Sequence, residues 1–183
     1  MNRHFHLNKL LLVAALGWGS VAFAAPMSGA DHKAAKDQIN ADYKADKAAC
    51  DRFTKNEKDV CEEKAEAKQK VARAELEYNN NGSARNANKL AKVKADTSYE
   101  VAKEMCDDRT GNDKDVCVTE AKAAHTKALA DAKANKEVVG ARKEATDDKR
   151  DADYKVATEK CDSMAGDAKS SCVAAAKARF GKS

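Results

Sequence analysis

The sequence predicts an all-α protein: three repeated, disulfide-stapled antiparallel helical hairpins, coiled-coil-like in their packing and containing six helices. Three observations lead there. The six cysteines fall at 50, 61, 106, 117, 161 and 172, as three Cys-x10-Cys pairs that recur after 56 and then 55 residues. Each pair sits in the same frame. Tyr43, Tyr99 and Tyr154 precede the first cysteine by seven residues, Asp51, Asp107 and Asp162 follow it directly, and Ala65, Ala121 and Ala176 lie four after the second. Self-similarity at a fixed period marks a repeat architecture. Finally, the body is dominated by Ala, Lys, Glu and Arg, all good helix formers, and holds a single Pro.

Residues 1–24 read as a signal peptide. Arg3 and Lys9 form a positive n-region, Leu10 to Leu16 an apolar h-region, and Ala22-Phe23-Ala24 a small-x-small cleavage pattern, so Ala25 would begin the mature chain. The apolar run is too short for a transmembrane span, which takes about 20 residues. The expected location is therefore secreted, in a Gram-negative periplasm, where disulfides are the default state of cysteines.

The remainder divides into hairpin repeats at 25–80, 81–138 and 139–183. In the first, Ile39, Tyr43, Cys50 and Phe53 share one helical face; in the second, Ala95, Tyr99, Ala102 and Cys106 do, and Cys117, Ala121, Ala124, Ala128 and Ala132 continue a stripe. These steps of three, four and seven are helical, not strand alternation. The turns fall within the cysteine pairs, where Asn56, Asn112 and Gly166 stand near the centre. Asn is expected to N-cap the following helix, with Glu57, Asp59, Asp113 and Asp115 in the first turn against the helix dipole. Gly111 and Gly166 are expected to take the left-handed conformation that ends a helix. Residues equidistant from a tight antiparallel turn sit at one height on facing helices. Among the 15 connectivities of six cysteines, this selects Cys50–Cys61, Cys106–Cys117 and Cys161–Cys172, each closing a short loop for about 3 kcal/mol. Asn79-Asn80-Asn81-Gly82-Ser83 is a clear breaker, and Val138-Val139-Gly140 a weaker one. Helices are expected near 31–54, 57–78, 84–109, 113–138, 141–164 and 167–181.

Composition explains why staples are useful. Residues 25–183 contain only 16 Leu, Ile, Val and Phe, about 10%, below the roughly 20% at which a highly charged chain stays disordered. Here the charges nearly cancel, Lys+Arg 34 against Asp+Glu 30, so helix is favoured over coil. Alanine seams with one covalent staple per hairpin replace a large core.

The same features exclude several functions. There is no C-x-x-C or C-x-x-C-H motif for redox or haem chemistry, and His32 and His125 are remote in sequence from every cysteine, so no metal site is expected. His125 is expected on the surface. Adjacent acids such as Asp107-Asp108 and Asp147-Asp148 lack the buried setting that acid–base catalysis needs, and no catalytic residue or cofactor is expected. Lys is interleaved with Asp and Glu, which argues against nucleic acid, and alanine-based faces suit a membrane surface poorly. Tyr43, Tyr99 and Tyr154, with Ala65, Ala121 and Ala176, are expected to serve packing.

The stretch Glu63-Lys64-Ala65-Glu66-Ala67-Lys68-Gln69-Lys70 resembles the Ala/Lys/Glu-rich helical segment of TolA-type cell-envelope proteins. That resemblance is compositional and implies a helical envelope protein. A second resemblance, to hydrophilic desiccation-protectant proteins, rests on the same richness in Ala, Lys, Glu and Asp. The expected function is a non-enzymatic structural or protein-interaction module of the cell envelope, with a protein partner there, no integral membrane segment after signal cleavage, and self-association left open. The alternative is a stress-protectant or chaperone-like protein.

Overall fold

The computed structural model describes residues 27–182, so the signal-peptide reading lies outside the described residues. It is helical throughout, with no strand among those residues. Helix α1 spans Gly29–Ala49 and runs into a 3-10 turn, Cys50–Arg52; α2 spans Asn56–Asn81, α3 Ala84–Met105, α4 Gly111–Cys161 and α5 Gly166–Phe180.

Local chemistry accounts for most boundaries. Ser28 caps α1, its hydroxyl accepting from the Asp31 N–H at 3.1 Å. The predicted breaker makes the sharp link between α2 and α3, where Ser83 accepts from the Asn86 N–H at 3.2 Å. Capping by asparagine at the other turns does not occur. Asn56 and Asn112 lie inside the first turns of α2 and α4, and Lys55, Thr110 and Ala165 occupy the cap positions without a side-chain bond.

Among the described residues there are five α-helices, not six. The two helices expected at 113–138 and 141–164 are one, the 51-residue α4, about 77 Å long. Gly140 inside a helix costs about 1 kcal/mol relative to Ala. Ending the helix there would require a fresh nucleus, and no capping residue follows Gly140 to help it. Ion pairs along α4, Lys143–Asp147 at 2.6 Å and Arg150–Asp147 at 2.8 Å, support the continuous form. The division expected at 138/139 therefore falls within a helix.

Among the described residues, the helices pack only on their neighbours in the chain: α1 on α2, α2 on α3, α3 on α4 and α4 on α5. Cross-helix contacts show each pair to be antiparallel. Lys47–Glu62 and His32–Glu77 join opposite ends of α1 and α2; Lys70–Glu100 and Lys94–Glu75 join α2 to α3; Lys182–Asp151 joins the tail of α5 to α4. The interior is thin. Buried residues are alanines (Ala65, Ala74, Ala95, Ala121, Ala132, Ala176), three cysteines, Leu76 and Thr97. Small side chains let helices approach closely, and that proximity replaces bulk as the source of contact.

Candidate functional site

The most densely built places are the three stapled turns. All three expected disulfides are present, Cys50–Cys61, Cys106–Cys117 and Cys161–Cys172, with Cα–Cα separations of 5.6, 5.7 and 5.7 Å. These lie within the ordinary range for an unforced bridge. Among the described residues no cysteine is free. In every bridge the first cysteine is buried and the second only half-buried.

Around each bridge the same contacts recur. The N–H three residues after the first cysteine donates to that cysteine's carbonyl: Phe53 to Cys50 at 2.9 Å, Arg109 to Cys106 at 3.0 Å, Met164 to Cys161 at 3.0 Å. The aspartate following that cysteine pairs with a lysine seven residues on: Asp51–Lys58 at 2.9 Å, Asp107–Lys114 at 2.8 Å, Asp162–Lys169 at 2.9 Å. The Lys114 ammonium, hydrogen-bonded to Asp107, holds that carboxyl below the usual carboxylate range and is itself raised. Five residues after the first cysteine the backbone turns through positive φ, at Lys55 (54°), Gly111 (56°) and Gly166 (59°). Glycine takes this conformation freely; lysine, which has a Cβ, does so at a cost.

Ala65, Ala121 and Ala176 are all buried, at 5%, 8% and 7% exposure, one turn beyond the second cysteine. Tyr43, Tyr99 and Tyr154 are half-buried. Tyr99 stacks on His125, ring centroids 4.9 Å apart, and Tyr154 meets Phe180 edge-on at 6.2 Å. His125 is thus not a free surface residue: its Nε2 lies 2.6 Å from Asp96 Oδ1, joining α3 to α4. Its role was readable. His125 and Phe180 both stand eight residues after a second cysteine, the height at which the tyrosine of the facing helix arrives, and Gln69 holds that position in the first hairpin.

Tyr43 instead lies by an acidic depression with Glu62, Glu63, Glu66 and Glu104. Burial, reinforced by Glu66 and Glu100, pushes the Glu63 carboxyl up. Among the described residues no group of three His, Cys, Asp or Glu has metal-binding geometry, and no helix is long and apolar enough to cross a membrane.

The other unusual feature is the middle of α4. From 133 to 150 every residue except Asp147 is exposed, a stretch of about 27 Å that no neighbouring helix buries. Val138 and Val139 stand on it at 47% and 48% exposure. It joins the four-helix array to the α4–α5 hairpin. No protein-family model matches the chain, and no curated protein or solved structure is significantly similar to it.

Proposed function

We propose that this chain is a secreted, periplasmic, non-enzymatic structural or protein-interaction module of the cell envelope, built from three copies of one coiled-coil-like stapled hairpin. The observation that carries this reading is the exposed middle of α4, a spacer between two stapled bodies. A helix whose side chains stay exposed is characteristic of a bridge between domains, and the exposed Val138 offers a contact point, while Val139 lines a shallow depression with Ala84, Ala87 and Ala91 of α3. The three disulfides suit an oxidising compartment, and residues 1–24 supply a route to it. The compositional likeness to TolA-type proteins points the same way.

Site-specific photo-crosslinking in the native envelope tests this. A photoreactive residue at Val138 should give one discrete protein adduct, and the same residue at Lys44, on the exposed face of α1, should give none. The surface charge of α4 also favours a second reading, a hydrated protectant. That reading predicts no discrete adduct at either position, together with suppressed aggregation of unrelated client proteins.

A further inference from the structure

Where α1, α2 and α3 lie side by side, they enclose an open groove of about 680 Å³, within the range of small-molecule sites. Its floor is apolar or satisfied: Ala74, Val93, and the buried Thr97, whose hydroxyl donates to its own helix at Val93 O, 2.8 Å away. Its rim carries charges of both signs, and they are not equally matched. Every carboxylate has a partner: Glu77 faces Lys36 and the His32 ring, Glu100 accepts from Lys70 at 3.0 Å, and Asp96 lies 2.6 Å from a His125 ring nitrogen. Two cations lack an acid. Lys89 makes no ion pair among the described residues, and Arg73 contacts only a neutral amide, donating from Nη2 to Asn40 Oδ1 at 2.6 Å. That oxygen also accepts from Gln69 Nε2 at 3.2 Å, so Asn40 is fixed from two sides.

An arginine held by a neutral amide keeps its full charge and its remaining N–H groups for another acceptor, and a planar guanidinium suits a carboxylate or similar anion. We propose that this groove binds a small organic anion, its acidic head on Arg73 and its apolar body along Ala74, Val93 and Thr97, with Lys89 adding positive charge farther along the rim. Asn40 acts as a positioning residue, orienting Arg73 without touching the anion.

Calorimetric titration of the full oxidised chain with 1-anilinonaphthalene-8-sulfonate, beside its uncharged relative N-phenyl-1-naphthylamine, tests the proposal. The anionic probe should bind one to one and outcompete the neutral one. Arg73→Gln with Lys89→Gln should weaken the anion by about tenfold or more, while Arg142→Gln with Lys149→Gln, an equal charge loss on the exposed part of α4, should leave it unchanged. Asn40→Ala should cause a smaller loss. Amide shift changes on the anion should centre on Ala74, Val93 and Thr97. Equal affinity for the two probes, no binding, or equal losses in both charge-removing pairs would overturn the assignment. All four substituted cations are exposed side chains, and circular dichroism establishes that the variants keep their helices.

Discussion

The segment from Gly29 to Ala132 and the segment beyond it are held by different means. In the first, α2 and α3 are each flanked on two sides, buried alanines line the seams, and cross-helix pairs such as Lys70–Glu100 and His125–Asp96 tie neighbours together. In the second, among the described residues, α5 touches only α4, with Ala176 and Cys161 its buried contacts, one aromatic pair and two ion pairs, Lys169–Asp162 and Lys182–Asp151. The same staple therefore does unequal work. It reinforces packing in the array and substitutes for it in the terminal hairpin.

The largest expected effect tests that inequality. Replacing Cys161 and Cys172 by Ser should cost the terminal hairpin about 3 kcal/mol. A helix of 15 residues is marginal alone, so amide exchange across 166–180 should lose its protection. The matching change at Cys50 and Cys61 should leave protection in α2 largely intact, because α3 still covers it. Equal losses in both hairpins would erase the comparison.

Next come the positive-φ positions. A Cβ at Gly111 or Gly166 would meet nothing within 4 Å, so Ala at either costs only backbone energy, about 1–2 kcal/mol. Lys55→Gly should act in the opposite direction, raising the melting temperature of the whole chain by relieving the one non-glycine residue at positive φ among the described residues. Denaturant melts of the three variants check the signs. A destabilising Lys55→Gly would mean that the turn energies differ among the hairpins.

A smaller effect belongs to the junction. Gly140 is helical with open space around it, and Gly140→Ala should stiffen the exposed part of α4 by about 1 kcal/mol. Slower amide exchange at 136–144, with none in α2, is the expected signature.

The smallest effect is in pH, where the two regions should differ in sign. In α4, the hydrogen bond from Lys143 holds the Asp147 carboxyl low. Its contribution is present above the unfolded carboxylate value, near 4, and is lost as pH falls through the lower folded one. Glu63, in the array, is raised instead, so its ionisation costs stability as pH rises from the unfolded towards the folded value. Asp147→Asn should lower stability at neutral pH, and Glu63→Gln should raise it. The Asp147 effect should shrink in high salt, since that group is solvated, and the Glu63 effect, which comes first from burial, should shrink less. Melts from pH 3 to 7 separate the two.

Much of this was legible from spacing alone. The cysteine frame yields all three bridges and the buried Ala65, Ala121 and Ala176, because each depends on distance from a nearby turn, and the Asn79-Asn80-Asn81-Gly82-Ser83 run yields the break at Gly82. Lys58, Lys114 and Lys169, each seven residues after the conserved-in-frame aspartate, were equally readable as its partners. Two things were not. Val138-Val139-Gly140 carries a weak breaker signal, and only the balance between one glycine and a new helix nucleus decides that α4 continues. The groove depends on how α3 lies against α2, which no spacing within a hairpin encodes; it brings together Asn40, Arg73 and Lys89 from three helices.

Contact between consecutive helices alone also bears on how the chain acquires its bonds. Each cysteine's partner is the next or the previous one in the sequence. A chain oxidised progressively from its N-terminus offers every first cysteine one new thiol at a time, and that thiol is the native one. Pairing in order of appearance then gives the native connectivity without thiol–disulfide isomerisation. Loop closure is short at every step, so folding and oxidation can proceed hairpin by hairpin. Oxidative refolding from the fully reduced state should accordingly accumulate species with one and two native bridges and few shuffled ones.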